Sequence, residues 1–181
     1  MKIYTRCGDG GETSLPGGGC VDKDSIRVEC LGCLDELSAH IGVLVALIVD
    51  TRLQEQLRAV QYNLFDVGVS LSLSPDNELV EYFDCETTAL EGLIDELSEH
   101  VPSFEGFVVA GGNLPSAQAH VCRTVCRRVE RRLVGVDDRL PELAAAIRYV
   151  NRLSDWLFLV ARYLENDCGK PEVSGDSLRH V

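Results

Sequence analysis

Leu34, Leu37, Ile41, Leu44 and Ile48 recur at alternating steps of three and four, and no other feature constrains this chain so tightly. That spacing keeps side chains on one face of a helix, so the segment 25–50 predicts a helix with an apolar stripe turned to a core. Leu53, Leu57, Val60, Leu64, Val67 and Leu71 repeat the rhythm, and Pro75 follows as a stop. A shorter helix carries Leu90, Leu93, Ile94 and Leu97 and ends before Pro102. Ser116 is placed to cap a fourth helix that runs to about Val134. Pro141 suits the first turn of a fifth, which continues through Leu143, Ile147, Val150, Leu157 and Leu164. Five helices with short connections, and no strand beyond a residue or two at Lys2–Thr5, predict an all-α, up-and-down five-helix bundle. Residues 166–181, rich in Gly, Pro, Asp and Ser, read as a loose tail.

A chain of 181 residues fits one domain. Its 17 basic residues against 29 acidic ones give −12, which argues against general nucleic-acid binding. It leaves room for an anionic ligand held by a local arginine cluster. The longest apolar run, Ile41–Val49, is too short for a membrane span, and the N-terminus has no apolar signal run. The expectation is a cytoplasmic protein without membrane contact. Eight cysteines then read as small buried hydrophobes in a reducing compartment. A zinc site on Cys30, Cys33, Cys122 and Cys126 would need their two helical segments to meet.

Two segments do not belong to a plain bundle. Cys7-Gly8-Asp9-Gly10-Gly11-Glu12-Thr13-Ser14, followed by Gly17-Gly18-Gly19 and Lys23, is either a flexible arm or a loop whose backbone N–H groups, hydroxyls and lysine receive a phosphate. It is not a Walker motif, because no Gly-Lys-Ser/Thr precedes a helix. In the fourth helix, His120, Arg123, Arg127 and Arg131 form one stripe. Stacked like charges are unfavourable unless carboxylates or a polyphosphate neutralise them, and the arginine fork suits both. Asp35 and Glu36 in the first helix, and Asn151, Arg152, Ser154 and Asp155 in the fifth, are polar sets for interhelical bridges or ligand contacts.

Taken together these segments resemble the cobalamin adenosyltransferases of the propanediol-utilisation (PduO) type over nearly the whole chain. Lys2-Ile3-Tyr4-Thr5 with Gly8-Asp9, Gly11 and Thr13-Ser14-Leu15 looks like that family's ATP loop, spanning about residues 1–24. Lys23-Asp24, Arg27-Val28-Glu29, Gly32 and Asp35-Glu36-Leu37 continue in register. Arg123-Thr124-Val125-Cys126-Arg127-Arg128-Val129-Glu130-Arg131 looks like its basic helix, and Asn151-Arg152-Leu153-Ser154-Asp155 like its closing signature. The chain departs from the pattern at Cys7, Gly10, Ser38 and Ala110.

The resemblance implies a single ferritin-like bundle domain over 1–181, a homotrimer, and ATP bound between neighbouring subunits. The family's ATP contacts fall on Thr5, Arg6, Cys7, Gly8, Thr13, Ser14, Lys23, Arg127, Arg128, Val129, Glu130, Arg131 and Asn151. Its intersubunit salt bridge falls on Asp35 and Arg123, and the aromatic wedge below the corrinoid falls on Phe107. The implied reaction transfers the 5′-deoxyadenosyl group of ATP to cob(I)alamin and needs no protein nucleophile. Mg²⁺ accompanies the ATP, and Glu130 could either orient an arginine or reach that ion. A cobalt-reducing flavoprotein and an adenosylcobalamin-dependent acceptor enzyme are the implied partners. Two rival readings stand beside this one. A helical Mg²⁺-dependent nucleotide pyrophosphohydrolase would use carboxylates spaced as in Glu91 with Asp95 and Glu96 with Glu99. A non-catalytic corrinoid- or ATP-binding module would use the same pockets without turnover.

Overall fold

The computed structural model describes residues 3–4, 6–15, 19–71, 77–103, 108–136 and 140–167. Thr5 and Phe107, and the tail from 168 onward, lie outside them. The described elements are β1 (Glu12–Ser14), β2 (Cys20–Asp22), α1 (Ile26–Leu47), α2 (Thr51–Val69), α3 (Asn77–Ser98), α4 (Leu114–Val134) and α5 (Pro141–Asp167). The helices pack side by side in the order α2–α1–α4–α5–α3, as an all-α bundle requires, and the two strands pack chiefly on each other.

The apolar stripes close the bundle. Leu34, Leu37, Ile41 and Leu44 of α1 and Leu53, Leu57, Val60, Leu64 and Val67 of α2 are all buried. They meet Val129 and Leu133 of α4 and Val150, Leu153 and Leu157 of α5 in one core. The turn between α1 and α2 is short and well satisfied. Asp50 caps α2 by accepting from Leu53 N at 3.1 Å, and Gln54 Nε2 donates back to Ile48 O at 2.8 Å.

The structure corrects the sequence reading in four places. The glycine-rich segment contains an antiparallel hairpin, with Glu12 opposite Asp22, Thr13 opposite Val21 and Ser14 opposite Cys20. α3 is as long as α1, at 22 residues. Its first half looked polar because Glu86 and Thr87 fill the turn between the buried Phe83 and Leu90. The cap of α4 is Asn113, whose Oδ1 accepts from Ser116 N at 2.8 Å, so Ser116 lies inside the helix. Finally, α1 is more apolar than the run Ile41–Val49 suggested: its mean hydropathy over eighteen residues, 1.6, reaches that of a membrane span. Its buried residues face α2 and α4, and Arg27, Glu29, Asp35 and Glu36 lie along it, which fits a core helix.

A buried polar network fixes how α2, α3 and α5 meet. Asn63 Nδ2 donates to Glu86 Oε2 at 2.7 Å and to Tyr149 Oη at 3.0 Å, while Tyr82 Oη donates to Asn63 Oδ1 at 2.7 Å. Burial raises the Tyr149 phenol well above its ordinary range, so it stays neutral within the network. Asn63→Ala should therefore lower unfolding free energy by about 1–3 kcal/mol, since it strands the fully buried Tyr149 hydroxyl and removes the partner of Tyr82 and Glu86. A urea midpoint equal to that of the unchanged chain would contradict the network's role.

Cys20, Cys30, Cys33, Cys85, Cys122 and Cys126 carry free thiols, and Cys30, Cys33, Cys122 and Cys126 lie in the core. Among the described residues no three His, Cys, Asp or Glu side chains gather as a metal site. Burial pushes the Cys30 thiol up to about 11 and the Cys122 thiol to about 12, and it raises Cys126 as well. Iodoacetamide at about pH 8 should therefore modify the exposed Cys7, Cys20 and Cys85 and spare Cys30, Cys122 and Cys126 until the chain is denatured. Peptide mass mapping reads this directly, and rapid native labelling of Cys126 would contradict the packing.

Candidate functional site

The arginines of α4 divide between two neighbours, and the pair that meets α1 lies beside the stripe His120, Arg123, Arg127 and Arg131. Arg128 pairs with Glu36 and Arg132 with Glu29 at 3.4 Å, so these two arginines, one turn apart, dock on α1. The hydrogen bond to Glu36 holds the Arg128 guanidinium charged, its pKa raised further. Val129 is buried between these faces and packs in the core. Arg131 is exposed.

Arg123 and Arg127 turn instead toward α5. Arg127 Nη1 lies 2.8 Å from Glu130 Oε2, and Asn151 Nδ2 donates to Glu130 Oε1 at 2.7 Å. The Glu130 carboxylate thus joins α4 to α5 and orients Arg127, whose side chain remains 46% exposed. Glu130 Oε2 faces the guanidinium as an ion pair without a well-aligned hydrogen bond, which leaves it acceptor capacity. Beside this set opens a groove of about 280 Å³, lined by Ile94, Arg123, Arg127, Ser154, Asp155, Phe158 and Leu159.

Phe158 organises the other end of the groove. Its ring lies 6.0 Å from the Arg123 guanidinium carbon and 5.8 Å from that of Arg162, within reach of cation–π attraction. The buried His120 ring packs on it at 6.2 Å, and Arg123 Nε donates to His120 Nδ1 at 3.4 Å. Arg123 and Arg127, the two guanidiniums that line the groove, suit a polyanion with several oxygens.

The glycine-rich loop has a built conformation. Arg6 adopts a left-handed backbone at φ 64° and Gly11 one at φ 95°, and the turn closes through Gly11 N donating to Gly8 O at 3.2 Å. Lys23 N donates to Gly11 O at 2.8 Å, and its Nζ donates to Gly8 O at 2.6 Å. A Cβ at Gly8 would meet Lys23 Nζ at 3.0 Å, so that lysine and the loop form one unit. Cys7 is exposed there, Thr13 is half-buried on β1 and Ser14 is exposed.

Within one chain the expected site residues fall into separate groups. Arg127, Glu130 and Asn151 come together on α4 and α5. Arg6, Cys7, Gly8 and Lys23 come together in the loop. Asp35 lies apart, exposed beside Ser38, Gln61 and Phe65 between α1 and α2, while Arg123 lies in the groove. The two residues therefore do not meet within one chain. Sequence reasoning left out Glu165, a carboxylate only 1% exposed near the end of α5. Its spacing of four from the buried Ala161 was the available signal.

A family model described as cobalamin adenosyltransferase matches residues 3–164. The chain is 41% identical to a cobalamin adenosyltransferase of Cupriavidus metallidurans, over 95% of this chain and 92% of that one. It is 43% identical to a corrinoid adenosyltransferase of Citrobacter freundii, over 91% and 95% respectively. Among solved structures it is similar to a variant PduO-type ATP:corrinoid adenosyltransferase from Lactobacillus reuteri complexed with cobalamin and ATP. That likeness has a TM-score of 0.83 and 29% identity, and it covers 96% of this chain and 98% of that one. A second variant of the Lactobacillus reuteri enzyme, complexed with ATP, has the same TM-score of 0.83 at 31% identity. With its fold, its basic stripe and its relatives in agreement, the chain belongs to the cobalamin adenosyltransferase family and is a transferase.

Proposed function

We propose that this chain moves the 5′-deoxyadenosyl group of ATP onto the cobalt of cob(I)alamin, giving adenosylcobalamin and triphosphate. The observation that carries the reading is the Arg127–Glu130–Asn151 set beside an open groove with a second arginine. On a chain of net charge −12, a guanidinium oriented toward open space is a local site for an anion. In the reaction the electron pair of Co(I) forms the Co–C bond, the C5′–O bond breaks, and the triphosphate leaves with that bond's electrons. Arg127 stabilises the departing charge, helped by Arg131 and Lys23, and no protein nucleophile takes part. The relatives with cobalamin and ATP bound support the choice of substrates.

The site lies between neighbouring copies in a homotrimer. The loop bearing Thr5, Arg6, Cys7, Gly8, Thr13, Ser14 and Lys23 comes from one copy and the Arg127 set from the next. Supporting this, the loop and the hairpin pack chiefly on themselves within one chain, and Asp35 and Arg123 lie on different faces. Mg²⁺ accompanying ATP would neutralise phosphate charge; Glu130 Oε2 is enclosed against Arg127, so this carboxylate serves to orient the arginine. Phosphate oxygens would hold the ion. Phe107 is the aromatic that keeps an axial ligand and water from cobalt. A cobalt-reducing flavoprotein supplies Co(I), and an adenosylcobalamin-dependent enzyme takes the product. The hydrolase reading is disfavoured, because Glu91 is paired with Arg152 at 3.1 Å and Glu96 with Arg52 at 2.6 Å on the surface.

Arg127→Ala should cut the rate of adenosylcobalamin formation by about 10²–10³ without changing helical content or assembly mass. Arg127→Lys should recover little, because an ammonium does not bridge Glu130 and a phosphate as a planar fork does. Near-normal turnover in Arg127→Ala would contradict the assignment. Asp35→Arg and Arg123→Asp should each impair activity or assembly, and the double reversal should regain part of the loss. Strictly additive losses, measured together with assembly mass, would show that the two residues do not pair.

A further inference from the structure

A second cavity lies against another face of α5. It has about 130 Å³ between the start of α2, the end of α3 and α5, and no residue lines both it and the groove. Trp156, the only tryptophan of the chain, is fully buried in its wall. The indole Nε1 has no hydrogen-bond partner among the described residues. Buried tryptophans ordinarily place that N–H on an acceptor, because an unpaired buried donor is unfavourable. Packing alone would be served by phenylalanine or leucine at 156, which bring no donor into the core.

The lining restricts what can meet this donor. Leu53, Leu93 and Leu97 supply apolar wall, and Asp50 and Glu96 supply carboxylates. Arg52 borders the cavity as well, but its fork is taken: Nη1 and Nη2 donate to Glu96 at 2.6 Å and 2.8 Å. His100 alongside is engaged through Nδ1 with Glu96 O at 2.8 Å. Two carboxylates against one paired guanidinium disfavour an anion. An ammonium has no lone pair for the indole N–H. A cavity of about 150 Å³ holds benzene, so a single ring is the size that fits. A ring with a hydroxyl answers both polar walls, since its oxygen accepts from Trp156 and its hydrogen goes to a carboxylate.

We propose that this cavity is a second small-molecule site, separate from the groove, for a neutral aromatic ring bearing a hydroxyl. It stands apart from the transfer reaction and does not depend on it.

The single tryptophan makes the test direct, because the ¹H–¹⁵N spectrum of the whole chain contains one indole cross-peak. Titration with phenol should move that peak downfield and saturate at one site per chain, with a Kd of about 1 mM, within reach of so small a ligand. Toluene, the same ring size without the hydroxyl, should bind about tenfold more weakly, and benzoate should leave the peak in place. By calorimetry, Trp156→Phe should lower phenol affinity about tenfold, and Leu97→Phe, which fills the cavity, should abolish binding. A peak that phenol does not move at about 20 mM, well above that Kd, would overturn the proposal. So would toluene or benzoate binding as tightly as phenol, or a Leu97→Phe chain that binds phenol unchanged. If either variant fails to give a cooperative melt, the three-ligand titration of the unchanged chain decides alone.

Discussion

The Glu130 carboxylate is the point on which the candidate site depends. It accepts from Asn151 of α5 and faces Arg127 one helical turn away, so one side chain both joins two helices and aims a cation. Without that tie Arg127 would be a long surface side chain with little preferred orientation, and an exposed ion pair by itself contributes at most about 1 kcal/mol. Its consequence is orientation: the guanidinium is held where it lines the groove, and under the proposed reaction a phosphate would meet it with less freedom to lose.

The rest of the bundle supports this tie at a distance. α4 and α5 pack more extensively than any other helix pair, and Val129, Leu133, Val150 and Leu153 are fully buried around it. The buried Val125, Cys126, Val129 and Leu133 set the rotation of α4 about its axis, and on the face adjoining Arg127 the exposed Arg128 and Arg132 pair with Glu36 and Glu29 of α1. On the far side of α5, the Asn63–Tyr149 bond fixes that helix against α2. Tyr149 and Asn151 are two residues apart, so the register set in the core is also the register of the site.

The helices were legible because burial on one face leaves a periodic trace, as Leu34 to Ile48 shows. The first half of α3 was not, because Glu86 serves the buried network and breaks the apolar pattern. The hairpin was hidden among glycines, where two three-residue strands leave no alternation to read. Within the site, the arginine stripe and Asn151 were visible as polar residues at helical spacing. Their division of labour was not: a spacing of four cannot say whether Arg128 or Arg127 meets an acid from α1. Glu165 was missed for a related reason, since its contacts are with residues some fifty positions away, at Gly112 and Ser116.

Attack of cobalt on the 5′ carbon of ATP requires the three phosphates to leave as one group. Phosphorus NMR of the reaction with cob(I)alamin, read beside the visible spectrum of the corrinoid, tests this most directly. The account predicts one free triphosphate for each adenosylcobalamin formed, and no nucleotide breakdown when reduced corrinoid is withheld. Pyrophosphate or phosphate released without any change in the corrinoid spectrum would contradict it.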